Sequence, residues 1–173
     1  EVDSVMLDIY PFVRYDNFLS KEDSDLIYEE CQFRTSYIYG ERDRPSLPPT
    51  GMVKKIEPGN LIYDLIVSKI NEELIPNIEH PVSETRSYIN MFHPREFGYF
   101  HKDGHCLTYM YYPGDSSYDD DQDGYTIFDY GNITYAEKPI PNSLVRFYGN
   151  IRHKASPFRT ENRYSVVTKY FFQ

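Results

Sequence analysis

Two histidines and one carboxylate in the second half of the chain could together hold a metal ion. One residue separates His101 from Asp103, and His153 follows 50 residues after Asp103. Residues two apart on a strand point to the same face, so His101 and Asp103 can reach one ion while Lys102 points away. Two imidazoles and a carboxylate can occupy one face of a six-coordinate iron and leave the other open, as in non-haem Fe(II) oxygenases. His153 must then come from a distant strand folded beside the other two ligands.

An arginine after the second histidine could anchor an acidic co-substrate. Arg163 lies ten positions beyond His153. A guanidinium makes a two-pronged match to a carboxylate. Arg159 is the competing candidate, but its position in a predicted turn favours a solvated charge. Ser165 shares the strand face of Arg163 and could add a hydrogen bond.

Because of a third histidine, spacing alone does not decide which residues are the metal ligands. His105 shares a strand face with His101 and Asp103 if the strand continues that far. Gly104 favours a bend there, which would turn His105 away.

The elements that must position these residues are two helices followed by short strands. Ser20–Asp23 is a capping-box-like start for a helix that runs to about Cys31. Apolar residues recur at helical spacing from near Asn60, and Pro76 ends that helix. The predicted strands are Val5–Tyr10, Arg86–Phe92, Tyr99–Asp103, Leu107–Tyr112, Tyr125–Tyr130, Ile133–Glu137, Ser143–Tyr148 and Arg163–Phe172. This order predicts a mainly β fold in which helices pack on a β-sandwich or jelly roll, as a single domain over residues 1–173.

One proline-rich segment interrupts this pattern. Tyr37–Pro58 contains four prolines in 22 residues and is predicted to be an irregular loop. It also carries a local excess of basic side chains, namely Arg42, Arg44, Lys54 and Lys55. Either a substrate-capturing loop or an ordinary surface loop is consistent with these features.

Composition narrows the classes of function. The chain has 173 residues, 17% aromatic residues and a net charge of −9. Such a surface repels phosphate backbones, so we expect no nucleic-acid partner. No apolar run in the sequence is long enough to span a bilayer, so we expect no membrane association. Cys31 and Cys106 lack metal-ligand spacing and favour buried thiols in a reducing, cytoplasmic compartment over a disulfide.

The ordered motifs resemble the prolyl 4-hydroxylase-like branch of the Fe(II)/2-oxoglutarate dioxygenases over most of the chain. The matching segments are Asp16–Ser20, Arg86–Phe92, Gly98–Asp103, Thr108–Tyr112, Asp123–Phe128, Asn142–Phe147, His153 and Arg163–Val167. Asp123 stands where the family has the first glycine of a Gly-Gly-x-Thr-like turn. The resemblance aligns His101 as a ligand and leaves His105 as a neighbouring or surface residue.

The resemblance implies a double-stranded β-helix (jelly roll) that binds Fe(II), 2-oxoglutarate as co-substrate, and O2, with ascorbate as a possible reductant. The implied metal ligands are His101, Asp103 and His153; the implied co-substrate residues are Arg163, Tyr112 and Ser165. Tyr112 could equally be a core aromatic residue. Tyr99, two residues before His101, could line the substrate pocket or pack in the core.

The expected activity is hydroxylation of proline in a peptide or protein, with release of succinate and CO2. The Asp103 carboxylate fills the position that a halide takes in halogenating relatives, which favours hydroxylation. In relatives, a segment equivalent to Tyr37–Pro58 closes over the iron as a lid. The alternatives are an oxygenase acting on another side chain, a free amino acid or a small molecule, and a metal- or ligand-binding protein without turnover. We expect a monomer.

Overall fold

The computed structural model describes residues 12–40, 42, 44–78, 80–115 and 118–173, and the strand predicted at Val5–Tyr10 lies outside them. The α-helices in this part of the chain are α1 (Lys21–Glu29) and α2 (Ser68–Glu73). Short π-helical or 3₁₀ turns lie at Glu30–Arg34, Tyr63–Val67, Ile75–Asn77 and Asp120–Gln122. The strands are β1 (Phe12–Tyr15), β2 (Ile38–Tyr39), β3 (Met52–Lys55), β4 (Val82–Phe92), β5 (Cys106–Tyr112), β6 (Thr126–Asp129), β7 (Thr134–Glu137), β8 (Ser143–Tyr148), β9 (Arg152–Ala155) and β10 (Arg163–Phe172).

Both predicted helices are confirmed, and local sequence explains their limits. The Ser20 hydroxyl accepts a hydrogen bond from the Asp23 backbone at 3.1 Å and so caps α1. Ile27 of α1 and Ile70 of α2 are buried in one cluster, as their helical spacing predicts. Pro76 lies in the 3₁₀ turn that follows α2. None of the helices in the described ranges combines the length and apolarity needed to cross a membrane.

The strands of the described residues form two antiparallel sheets. Seven of them make a large sheet in the order β1-β8-β5-β10-β4-β3-β2, and three make a small sheet in the order β7-β6-β9. Strands far apart in sequence, such as β5 and β10, are neighbours. This connectivity confirms a jelly-roll core packed against helices.

The large sheet packs its two faces against different partners. On β5, Tyr109 joins the cluster that contains the helix residue Ile70. The alternate residues Met110 and Tyr112 join a second cluster, which includes Phe128 of the small sheet. Successive strand side chains point to opposite faces, so the helices cover one face and the small sheet covers the other.

The predicted strand at Tyr99–Asp103 is not formed. Within this fully described segment, only His101 makes a β-bridge, to β9. The backbone N–H groups of Asp103 and Gly104 donate to the Gly149 carbonyl, at 2.7 and 3.3 Å. Gly104 also has a φ of +102°, a value that favours glycine, and it turns the chain before β5 begins.

The Tyr37–Pro58 segment is not wholly irregular, which corrects the prediction. β2 and β3 lie within it and pair as a hairpin, and β3 continues the large sheet beyond β4. These strands are short and lie close to proline and glycine, so their composition hid a structure that depends on pairing. The four-residue strand β1 was missed for the same reason. β9 is the strand on which His153 was expected to lie, although its bounds were not predicted.

Candidate metal and co-substrate site

Backbone pairing brings the three predicted metal ligands together. His101 and His153 exchange two backbone hydrogen bonds of 3.0 Å, which join the segment before β5 to β9 of the small sheet. Asp103 is held beside them because its N–H donates to the Gly149 carbonyl at 2.7 Å. One ligand atom from each of the three side chains lies within 4.8 Å of the others. The site is therefore built where the two sheets meet.

Backbone carbonyl groups orient both imidazole rings. Nδ1 of His101 lies 2.9 Å from the carbonyl oxygen of Tyr99, and Nδ1 of His153 lies 2.8 Å from that of Ile151. A carbonyl oxygen only accepts, so each Nδ1 carries a proton and each Nε2 of the neutral ring is a lone-pair donor. Burial lowers the pKa of His153, which favours the neutral ring. Metal-binding histidines are commonly oriented in this way.

The Asp103 carboxylate faces the Nε2 atoms of both rings. Its Oδ1 is 3.5 Å from Nε2 of His101, and its Oδ2 is 3.6 Å from Nε2 of His153. The Thr108 hydroxyl donates to Oδ2 at 2.8 Å. Burial alone would raise the pKa of this carboxyl, but the neighbouring His101, His153 and Lys169 hold the pKa well below its usual range. The group is therefore charged and could act as a metal ligand.

The surroundings of one Asp103 oxygen, Oδ1, indicate whether a metal ion fits this site. Asp103 Oδ1 is buried and has no hydrogen-bond partner among the described residues. Nζ of Lys169 lies 2.7 Å away and forms an ion pair with this oxygen. A carboxylate oxygen can accept more than one partner, so a divalent cation held by both rings would fill the remaining position. Two imidazoles and one carboxylate fit Fe(II).

The three side chains open onto a cavity of about 230 Å³. Much of its wall comes from one face of β4 and β10, which pair so that Arg163 lies opposite Phe92 and Lys169 lies opposite Arg86. The lining residues on these two strands are Arg86, Tyr88, Asn90, Phe92, Arg163, Ser165, Val167 and Lys169. Every second residue points into the cavity because side chains alternate along a strand.

Arg163 is a buried cation in this wall, with 1% of its surface exposed. Its Nε donates to the Gly124 carbonyl at 2.8 Å, and its Nη2 donates to the Thr126 hydroxyl at 3.1 Å. Burial lowers its pKa, yet a guanidinium titrates so far above neutrality that it stays charged. Arg163 has no carboxylate partner among the described residues, so this site can accept an anion.

The turn that holds Arg163 keeps a glycine-like geometry. Asp123 and Gly124 have φ values of +63° and +76°. A Cβ at Gly124 would lie 2.1 Å from the Phe158 ring. Asp123 therefore adopts the backbone conformation that favours glycine at the position where the family resemblance has one.

The other predicted binding residues lie at different distances from the cavity. Ser165 lines it beside Arg163. The Tyr112 ring lies under the Arg163 guanidinium, 5.6 Å from ring centroid to carbon, and its hydroxyl is 2.7 Å from that of Thr126. Neither Tyr112 nor Tyr99 is among the described lining residues, and the Tyr99 side chain is exposed. A substrate-binding role for Tyr99 stays a prediction.

Arg159 and His105, the alternatives to Arg163 as co-substrate anchor and to His101 as metal ligand, lie outside the cavity lining. Arg159 is exposed, and its Nε donates to Asp123 at 2.8 Å, as expected for a loop charge. His105 is exposed after the bend at Gly104, and its ring packs against Phe172 at 5.2 Å. Neither Arg159 nor His105 is part of the described cavity lining.

Two lysines of the site escaped the sequence reasoning. Lys102 was predicted to point away, but the strand that argument assumed is absent, and Lys102 lines the cavity. Lys169 lies beside Asp103, with 12% of its side chain exposed. Burial alone would lower the pKa of Lys169, but Tyr88 and Asp103 raise it above its usual range, so the amine stays charged. The two-residue period from Arg163 through Ser165 was a signal that could have found Lys169.

Comparisons with known proteins place the fold. Neither the protein-family models nor the curated proteins contain a match to this sequence. Among solved structures, a prolyl-4-hydroxylase from Pseudomonas putida has a TM-score of 0.73 at 14% identity, covering 96% of this chain and 95% of that one. A prolyl hydroxylase from Trichoplax adhaerens, in complex with a hypoxia inducible factor peptide fragment, has a TM-score of 0.78 at 16% identity, covering 97% and 86%.

A third structural neighbour contains a bound metal ion and 2-oxoglutarate. HygX from Streptomyces hygroscopicus, with nickel and 2-oxoglutarate bound, has a TM-score of 0.72 at 9% identity, covering 100% of this chain and 87% of that one. The chain therefore has the fold shared by these prolyl hydroxylases and 2-oxoglutarate-binding proteins.

Proposed function

We propose that residues 1–173 form one Fe(II)- and 2-oxoglutarate-dependent hydroxylase domain, with His101, Asp103 and His153 as the metal ligands. The carrying observation is the triad itself: two rings, each oriented by a backbone carbonyl group, face a charged carboxylate whose buried Oδ1 has no hydrogen bond among the described residues. The fold shared with the P. putida and T. adhaerens prolyl hydroxylases supports this proposal.

The side chains divide the work of holding the reactants. When bound, Fe(II) supplies the means to activate O2 and to couple its reduction to decarboxylation of 2-oxoglutarate. His101 and His153 donate Nε2 lone pairs to the ion. Asp103 supplies one negative charge, and the Thr108 hydroxyl fixes the orientation of its carboxylate group. Backbone carbonyl groups hold the ring protons on Nδ1, so the metal-facing nitrogens stay unprotonated.

Arg163 is proposed to bind the distal carboxylate of 2-oxoglutarate. Its hydrogen bonds to Gly124 and Thr126 fix the guanidinium before any ligand arrives, so little ordering is needed on binding. Ser165 is proposed to add a hydroxyl donor from the same strand face. Tyr112 is proposed to take part through its hydroxyl, which lies beside that of Thr126.

The proposed primary substrate is proline in a peptide or protein. The β2–β3 connection contributes Arg42 and Thr50 to the cavity lining, so this segment borders the site as a lid would. Phe97 and Tyr99, in the loop before the triad, are exposed apolar side chains. The T. adhaerens neighbour holds a peptide, which supports the same substrate class.

Mass spectrometry after incubation with Fe(II), 2-oxoglutarate, O2 and ascorbate tests this function. We expect succinate and a peptide product heavier by one oxygen atom from proline-containing peptides, and neither from the Asp103→Ala variant. Succinate formed only with a free amino acid or small molecule would reject the peptide substrate. Tight metal binding without succinate from any of these candidates would favour a binding protein without turnover.

A further inference from the structure

Lys169 is a charged residue inside the candidate metal site to which the proposed function assigns no role. Its Nζ lies 2.7 Å from Oδ1 of Asp103, and 12% of the lysine side chain and 1% of the aspartate side chain are exposed. Two opposite charges that are removed from water in this way depend on each other, because either one left alone would keep its full desolvation cost. The Asp103 carboxylate thus has a counter-charge within the protein itself.

The large sheet holds Lys169 beside another partner of this carboxylate. Lys169 of β10 and Thr108 of β5 are directly paired in the antiparallel register. Directly paired residues point to the same face of a sheet, so both side chains can reach Asp103. The Thr108 hydroxyl donates to Oδ2 at 2.8 Å, and the Lys169 ammonium contacts Oδ1. Two adjacent strands therefore hold one carboxylate oxygen each.

The position of Asp103 does not depend on Lys169 alone. The N–H group of Asp103 donates to the Gly149 carbonyl at 2.7 Å, which fixes the main chain. The fully buried Thr108 fixes one oxygen of the side chain. Removing the lysine charge should therefore leave the carboxylate in place, so the main contribution of Lys169 is its positive charge.

This charge acts in opposite directions on the folded protein and on a bound ion. The ammonium attracts the buried carboxylate and so stabilises the fold. A divalent cation held by His101, His153 and Asp103 would share the carboxylate with the ammonium, and positive groups at such short range repel each other strongly in a buried site. The centroid of the Tyr88 ring lies 5.2 Å from Nζ of Lys169, so this ring gives the ammonium a further contact but no formal negative charge.

We propose that Lys169 is an internal counter-cation that competes with the metal ion for Asp103. It keeps the site folded without the ion and weakens the binding of the ion. Lys169 acts through Asp103 and is not itself a ligand, since an ammonium group has no lone pair. The inference rests on the metal ligands of the proposed function and adds a residue that sets how readily the ion is exchanged.

Replacing Lys169 with methionine separates the two effects, because methionine removes the charge and keeps an unbranched side chain. Metal-free Lys169→Met should unfold at a urea concentration about 1 M or more below that of wild type, since the buried carboxylate loses its counter-charge. Calorimetric titration with Fe(II) under nitrogen, without 2-oxoglutarate, should give a Kd at least about tenfold lower than that of wild type. A residue with a purely structural role would instead lower stability and weaken metal binding together.

Two further variants and one control make this result specific. Lys169→Gln keeps a hydrogen-bond donor without the charge, so it should lose less stability than Lys169→Met and still bind Fe(II) more tightly than wild type; it replaces Lys169→Met if that variant does not fold. Thr108→Val removes a neutral donor from the same carboxylate and should weaken Fe(II) binding. Lys138→Met is the matched charge control, because Lys138 pairs with Asp120 outside the cavity lining, and it should leave the Kd for Fe(II) nearly unchanged.

Unchanged or weaker Fe(II) binding in the folded Lys169 variants would overturn the inference, and so would a metal-free stability of Lys169→Met equal to that of wild type. Failure of the proposed function is distinguishable, because wild-type protein would then show no Fe(II) binding that Asp103→Ala abolishes. If the Lys169 variants also lack such binding, both proposals are rejected. Binding that depends on Asp103 and appears only after Lys169 is replaced would still support the competition.

Discussion

Replacing Arg163 with alanine should weaken 2-oxoglutarate binding far more than the same change at Arg159. Arg163 is fully buried in the cavity wall, whereas 66% of the Arg159 side chain is exposed. A hydrogen bond to a charged group contributes about 1.5–3 kcal/mol, so Arg163→Ala should raise the Kd about 10- to 150-fold. Arg159→Ala removes an exposed pair with Asp123, worth about 0–1 kcal/mol, and should leave the Kd nearly unchanged.

The structure also gives the accompanying cost in stability. Arg163→Ala leaves the Gly124 carbonyl without its donor, which should lower the free energy of unfolding by about 1–3 kcal/mol. The Thr126 hydroxyl loses less, because it keeps its contact with Tyr112. Arg163→Lys retains the positive charge but loses the paired N–H donors of the guanidinium. The Kd of this variant for 2-oxoglutarate should therefore lie between those of wild type and Arg163→Ala.

Calorimetric titration with 2-oxoglutarate under nitrogen, in the presence of Fe(II), measures these constants. Circular dichroism during urea unfolding confirms that each variant is folded at the titration temperature and supplies the stability change. A larger loss of binding for Arg159→Ala than for Arg163→Ala would refute the assignment. So would binding by folded Arg163→Ala within threefold of wild type.

Three further predictions concern the metal ligands, their packing and the thiols. Asp103→Ala and His153→Ala should each lose tight Fe(II) binding and succinate formation while circular dichroism stays native; metal retention in either variant would reject the triad. Gly149→Ala should weaken metal binding about tenfold or more, because its Cβ would lie 2.4 Å from Cys106 Sγ and 2.9 Å from Asp103 Cβ. Adding Cys106→Ala should recover part of that loss in a metal titration, and unchanged affinity in Gly149→Ala would contradict the packing argument. Burial raises the pKa of Cys31 to about 12 and also raises that of Cys106. Both thiols should therefore resist a disulfide reagent at pH 8 until the protein unfolds, and stability should fall as the pH rises above the ordinary thiol pKa of about 8.5. Rapid reaction of the folded protein would contradict this.

The fold and much of the candidate site were predictable because periodicity and side-chain chemistry are local. Alternation along the predicted strand Arg86–Phe92 puts Tyr88, Asn90 and Phe92 on one face, and that face lines the cavity. Residue type and order were enough to nominate His101, Asp103 and His153, which the structure brings together.

What could not be predicted depends on contacts between distant segments. Lys102 reaches the cavity because Asp103 and Gly104 bond to Gly149 in place of a strand neighbour. Lys169 matters only because β10 places it against Asp103. The two-residue period along β10 indicates which face carries Lys169, but no local pattern records its contact with Asp103 or the contacts with Gly149, since these are fixed by packing of segments remote in sequence.

Because the triad lies where the two sheets meet, metal binding should affect the stability of the sandwich. His153 belongs to β9 of the small sheet, while His101 and Asp103 precede β5 of the large sheet. An ion shared by these side chains would act as a cross-link between the two halves of the sandwich. Separation of the halves would expel it, so the metal would stabilise the closed sandwich by RT ln(1 + [M]/Kd), where [M] is the free metal concentration, or about 2.7 kcal/mol when [M] is a hundredfold above Kd. Amide hydrogen exchange should therefore slow on metal loading in β6 and β9, far more than in the solvent-facing turns of α1.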